Sequence, residues 1–168
     1  MYQNQSTTGG AVLRGGESSK WCAKILMELW PFSRRIHLLD VGAIAGTAYA
    51  KWKHKFDVTS IDIQPRAPHV LPADFFDFPM PAREEERFDV IGLSLVINFV
   101  GDLAKRGDML LHAHRYLRRG GYVYVVLPLP CLTNSRYMTH DHFARLVRAT
   151  GYDVVRNEDS HRLTRWLL

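Results

Sequence analysis

Residues 38–46 read Leu38-Leu39-Asp40-Val41-Gly42-Ala43-Ile44-Ala45-Gly46, a short apolar strand running into a turn with a glycine at each end. Glycine after a strand lets the backbone turn sharply and approach a ligand where any Cβ would collide. The spacing is Gly-x-x-x-Gly and departs from the Gly-x-Gly-x-x-Gly of dinucleotide enzymes, and a tight strand-to-helix turn with no ligand would use the same residues. Twenty residues after Gly42, a second strand-like run, Phe56-Asp57-Val58-Thr59-Ser60-Ile61-Asp62, ends in an acid. A carboxylate there accepts hydrogen bonds from both hydroxyls of an unphosphorylated adenosine ribose. The plainer alternative is an acid capping a turn. Asp62 suits S-adenosyl-L-methionine (SAM) and NAD alike, so it points to the ribose without choosing the cofactor.

Working outward, Trp21, Cys22, Ile25, Leu26, Leu29 and Trp30 recur at helical spacing until Pro31. A helix is expected from Ser18, with Ser18 or Ser19 as its N-cap. Residues 45–55 suggest a short helix or turn. Downstream come a long apolar run over 88–97, a helix over 102–119 stopped by Gly120-Gly121, and a buried strand over 122–127. A helix over 141–150 closes at Gly151, and 152–156 and 162–168 suggest two strands joined by a polar turn. Strands alternating with helices predict a parallel sheet covered on both faces. The short final turn makes the last pair antiparallel, because a parallel pair needs a longer crossover. That ending fits a class I SAM-dependent methyltransferase and equally a decaying Rossmann variant; the expectation is the former, an α/β, Rossmann-like fold with a mostly parallel seven-stranded sheet and an antiparallel last strand. Residues 1–16 are read as a lead-in and 17–168 as one domain.

At 168 residues, 46% hydrophobic and 23% charged, the chain can bury one core and still suit water. No apolar run approaches the roughly 20 residues of a membrane span, and the polar first ten residues lack the features of a secretory signal. Cys22 and Cys131 show no CxxC spacing, which favours a reducing intracellular compartment and gives a metal site no support. Residues 1–100 hold eleven Lys/Arg and eleven Asp/Glu, whereas 101–168 hold eleven and six, so the net +5 lies in the C-terminal part. A basic surface attracts polyanions through phosphate contacts and counterion release, although a solvated basic face would carry the same charge.

Further candidates follow from position. Asp74 could accept from an adenine amine with Phe75 packing on the ring, or both could serve the core. Ser94-Leu95-Val96-Ile97-Asn98-Phe99-Val100 occupies the end of the fourth strand, where Asn98 and Phe99 could offer an amide to a base edge and a ring to stack on it. The proline pair that amino methyltransferases often carry there is missing. Arg14 could pair with the methionine carboxylate of SAM, or belong to a flexible lead-in. Arg136 and Tyr137 follow the fifth strand, where loops line the ligand crevice of open α/β sheets. Cys131 lacks the base and oxyanion arrangement of a nucleophile.

Together, Tyr2-Gln3, Arg14-Gly15-Gly16-Glu17-Ser18-Ser19-Lys20, Leu39-Asp40-Val41-Gly42, Ile61-Asp62-Ile63, residues 94–100 and Leu127-Pro128-Leu129-Pro130-Cys131-Leu132-Thr133-Asn134-Ser135-Arg136-Tyr137 resemble the fungal 25S ribosomal RNA adenine-N1 methyltransferases. That family is related to the animal SAM sensor SAMTOR. The resemblance runs from about Tyr2 to the C-terminus. It implies SAM as methyl donor, adenine N1 as acceptor, and a nuclear, nucleolar setting with ribosomal RNA or a pre-ribosome as partner. It carries SAM contacts onto Gly42 and Asp62; Ser94 joins Arg14, Asp74 and Phe75 as further cofactor candidates. Asn98 and Phe99 are the catalytic candidates, and Arg136 and Tyr137 the RNA candidates. A monomer is expected, with neither metal nor membrane. The rivals are a SAM-sensing binding protein without methyl transfer, and an NAD-dependent oxidoreductase, which lacks a Tyr/Lys or His/Arg catalytic arrangement.

Overall fold

The computed structural model describes the backbone of residues 9–100 and 102–168, and side chains from Ser18 onward except those of Phe99 and Leu103. Tyr2 and Gln3 lie outside the described residues. Seven strands form one sheet: β1 Ile36–Val41, β2 Phe56–Asp62, β3 Leu71–Pro72, β4 Phe88–Ser94, β5 Leu117–Pro128, β6 Arg156–Asp159 and β7 Leu163–Leu167. Their order is β3-β2-β1-β4-β5-β7-β6, with β7 antiparallel to both neighbours and every other pair parallel. This is the class I methyltransferase sheet expected from the strand-helix alternation.

Period-two alternation splits the core between the two faces of the sheet. Leu38, Val90, Tyr124 and Val126 pack on one face with Cys22, Ala23 and Leu26 of helix α1 (Gly9–Leu29). Leu39, Ile91, Leu93, Val123 and Val125 pack on the other with Met109 and Leu110 of α2 (Leu103–Ala113). That side also takes Leu132 of the short α3 (Pro130–Thr133) and Phe143 and Val147 of α4 (His140–Ala149).

Three boundaries differ from expectation. Helix α1 begins at Gly9, inside the stretch read as a lead-in, so Ser18 and Ser19 are buried interior residues and not N-caps. Tertiary packing overrides the weak helix propensity of glycine and serine here; the Tyr124 hydroxyl donates to Ser18 O at 2.7 Å. Helix α2 stops at Ala113, and β5 already starts at Leu117, which pairs with Phe88. Tyr122 pairs with Val90, so residues 118–121 bulge out of the ladder where helix was expected. Finally, Tyr152 points its hydroxyl into the helix layer, onto Leu110 O at 2.7 Å, and β6 begins four residues later than read.

The bulge has a purpose at the amino-terminal rim of the sheet. Asp89, only 3% exposed, accepts from both terminal nitrogens of Arg34 (2.7 and 2.9 Å), from Arg118 (3.1 Å) and from His37 N (2.8 Å). Burial pushes its pKa up, yet the Arg34 hydrogen bonds, the His37 amide and the Arg118 charge hold it below the usual carboxylate range. No described helix is long and apolar enough to cross a membrane, and among the described residues no group of three His, Cys, Asp or Glu is placed to hold a metal.

Candidate active site

Strand order reverses between β1 and β4, so the chains leaving their carboxyl ends diverge and open a crevice. On the β1 side Gly42 has φ +72° and Gly46 φ +64°. A Cβ on Gly42 would come within 2.9 Å of Val96 Cγ2, and one on Gly46 within 2.6 Å of His69 Nε2. Conformation and space therefore both demand glycine. Ile61 O accepts from Gly42 N (2.9 Å) and Ala43 N (3.0 Å), which folds the turn over the end of β2.

Between the glycines, Ile44 holds a left-handed φ of +57°, a conformation costing a β-branched residue about 1–2 kcal/mol. Asp62 compensates. Its Oδ2 accepts from Ile44 N at 2.9 Å and its Oδ1 from Gln64 N at 2.8 Å. The residue is 8% exposed. Each oxygen keeps a lone-pair position for a second donor, which is the acceptor pattern a vicinal diol needs.

Sequence reasoning gave Asp40 no role. It is 5% exposed, one residue before the carboxyl end of β1. A Cβ on the facing Gly92 would come within 3.7 Å of Asp40 Oδ1 and 3.6 Å of the Tyr49 hydroxyl. Burial first, and the neighbouring Asp62 charge second, push its pKa from 3.8 up to about 7, with no hydrogen bond among the described residues to oppose them. Beside it Cys22 and Tyr49 are enclosed and bonded to each other, and burial raises the pKa of both. A buried carboxylate lacking donors is a place for a cationic group. The signal available was an acid inside an otherwise apolar strand, two residues before its glycine.

On the other bank β4 ends at the half-buried Ser94, in register with Val126. Leu95 then turns left-handed (φ +57°) while its N–H still reaches Val126 O at 2.9 Å. Ile97–Phe99 form a 3-10 turn closed by Val100 N on Ile97 O at 3.0 Å. Asn98 thus rides a turn beyond the strand end, and its Oδ1 is enclosed without a donor. The side chain of Phe99 lies outside the described residues, as does that of Arg14, whose backbone belongs to α1.

Asp74 is tied to the same rim through Ala73 N on Asp62 O (3.0 Å), and its side chain caps the turn at Phe76 N (3.0 Å). Phe75 is fully buried, its ring 4.8 Å from His112 and 5.2 Å from Tyr116. Arg136 is exposed and Tyr137 is 73% exposed on the segment after α3. The structure therefore places Gly42, Asp62 and Ser94 at the carboxyl ends of three adjacent strands with Asn98 on the turn that follows, buries Phe75 in the core, and leaves Arg136 and Tyr137 open to solvent.

A family model described as 25S rRNA (adenine(2142)-N(1))-methyltransferase, Bmt2, matches residues 1–168. The 25S rRNA (adenine(2142)-N(1))-methyltransferase of Saccharomyces cerevisiae is 30% identical over 163 residues, covering 96% of this chain and 48% of the yeast protein. The 25S rRNA adenine-N(1) methyltransferase of Schizosaccharomyces pombe is 29% identical over 177 residues, covering 99% of this chain and 64% of that protein. The chain thus spans about half to two thirds of the length of these relatives. Among solved structures, a Burkholderia thailandensis 1,6-didemethyltoxoflavin-N1-methyltransferase with bound S-adenosylhomocysteine superposes with a TM-score of 0.72 at 16% identity, covering 95% of this chain and 80% of that one.

Proposed function

This chain belongs to the Bmt2 family of 25S rRNA adenine-N1 methyltransferases, and on that premise we propose that it transfers a methyl group from SAM to N1 of an adenosine in large-subunit ribosomal RNA. The observation that carries the proposal is Asp62, buried at the tip of β2 with one backbone donor on each oxygen and acceptor capacity left for a ribose diol. SAM supplies, when bound, a methyl group on a positively charged sulfonium. Gly42 and Asp62 would hold the adenosyl end, with Asp74 toward the adenine amine, Ser94 at the crevice floor and Phe75 backing the adenine wall from the core. Asp40 suits the methionine ammonium, and Arg14 the carboxylate.

Adenine N1 carries an in-plane lone pair and no proton, so the protein has no general base to provide. Its task is alignment, and orientation alone supplies much of the catalysis in such a reaction. Asn98 and Phe99 orient the base, which must be unpaired or extruded for its N1 edge to be reached. Arg136, Tyr137 and the basic C-terminal part hold the RNA strand, the substrate implies a pre-ribosomal, nucleolar setting, and the proposed acting unit is a monomer.

Tritium transfer from labelled SAM to rRNA lacking the modification tests this. Wild type is expected to incorporate label. Asp62→Ala should weaken SAM binding at least tenfold by calorimetry, and Asn98→Ala should lose incorporation while binding SAM normally. SAM binding by the wild type without incorporation would instead establish a sensor, and undiminished affinity in Asp62→Ala would remove the site.

A further inference from the structure

The turn that carries Asn98 has little of its own to hold it. It has no side-chain cap, it follows the left-handed Leu95, and the enclosed Asn98 Oδ1 finds no donor. Its far end is secured by one side chain of α2: Arg106 Nε donates to Val100 O at 2.7 Å, a short charge-assisted bond. The anchor is itself fixed. Arg106 N donates to Asp102 O at 3.1 Å in the first turn of α2. At the next residue, Gly107, a Cβ would come within 3.3 Å of Leu146 Cδ1, so α2 lies close on α4. The Arg106 charge also acts on Cys131, where it opposes the upward push of burial on the thiol. The guanidinium therefore stands between the segments that follow β4 and β5, which carry Asn98 on one side and Arg136 with Tyr137 on the other.

We propose that Arg106 is a positioning residue for the base-binding turn, acting through its Nε–H on the Val100 carbonyl. Through that bond α2 sets the height of residues 97–100, and with it where the Asn98 amide meets the base. The inference rests on the methyl transfer proposed above. Side-chain chemistry separates it from a simple charge effect. In glutamine the amide nitrogen stands as many bonds from Cα as arginine Nε does, so Arg106→Gln keeps a donor for Val100 O and discards the charge. Arg106→Lys keeps the charge but places carbon at that position, and Arg106→Met keeps neither.

With wild-type turnover on rRNA as reference, kcat should fall roughly tenfold or more in the Lys and Met variants, because small misplacements of an orienting group are costly. The Gln variant should stay within about threefold of wild type, the donor being retained. SAM affinity should be unchanged in all three, and the thermal midpoint should fall by no more than a few degrees in the Lys and Met variants. Hydrogen exchange at the amides of residues 96–100 reads the same tether without turnover, faster in the Lys and Met variants and close to wild type in Gln. Wild-type kcat in Arg106→Lys with a raised RNA KM in Arg106→Gln would mean that the charge grips phosphate, and would overturn the proposal. Unchanged exchange in all three variants would overturn it too. A wild type that binds SAM but transfers no methyl would sink the function alone, since exchange still decides whether Arg106 holds the turn.

Discussion

Replacing Asp40 by Asn should change how the stability of the ligand-free protein depends on pH. Asp40 is 5% exposed, and burial with the Asp62 charge lifts its pKa from 3.8 to about 7. A carboxyl whose folded pKa is raised keeps its proton in the native state while the unfolded chain gives it up, so stability falls as pH rises between the two values. Across the full window the penalty is about 4 kcal/mol, at 1.36 kcal/mol per pKa unit. Between pH 5 and pH 8 it grows by roughly 2–3 kcal/mol, since the unfolded group is already largely ionised at pH 5. Asparagine has nearly the same shape and no proton to lose. Urea denaturation of both proteins at pH 5, 6, 7 and 8 should show Asp40→Asn gaining on wild type by that amount, with unchanged m-values. Parallel stability curves across this range would refute the placement of Asp40 as a buried, uncompensated acid.

Gly42→Ala forces a Cβ into a left-handed residue and against Val96, and should cost about 1–3 kcal/mol in chemical denaturation as well as weakening SAM binding. Asp89→Asn leaves Arg34 and Arg118 without their anion; with Arg34 part-exposed, a loss of about 2–3 kcal/mol at neutral pH is expected. Because the folded pKa of Asp89 is depressed, that stability is present above the unfolded value and disappears as the pH falls through the folded one, so the two proteins should converge under acid titration. Tyr124→Phe removes the hydrogen bond to Ser18 O and should lower stability by about 1 kcal/mol, read as a lowered thermal midpoint.

The centre of the fold was legible because there local signals and packing agree. β1 and β2 end at Val41 and Asp62 as their alternation and their terminal glycine and acid predict, and α4 closes at Gly151, which takes φ +92°. Sequence patterning failed where a long-range partner decides. Gly9, Gly10, Gly15 and Gly16 do not look helical, yet α1 runs through all of them. Arg118 to Gly121 reads as a helix terminus until Asp89 is seen to accept from Arg118 across the sheet. At the candidate site, the left-handed turn at Gly42 and the strand-end place of Asp62 were legible because both follow from backbone geometry. Asp40 was not, since its significance depends on the partners it lacks. The place of Asn98 turns on the left-handed Leu95, a conformation no pattern of leucines announces.

The two rims of the sheet are built to opposite specifications. At one, a single carboxylate gathers two guanidinium groups and a strand amide, binding residues from the α1–β1 connection, β1, β4 and β5 into a rivet. At the other, two non-glycine residues sit in left-handed backbone, Ile44 held by its N–H on Asp62 and by Arg66 N on its carbonyl, Leu95 by its N–H on Val126 O. Thermal fluctuation in such a scaffold should be directional: strand alignment is conserved at the riveted edge, and breathing is delivered to the edge that carries the proposed SAM site.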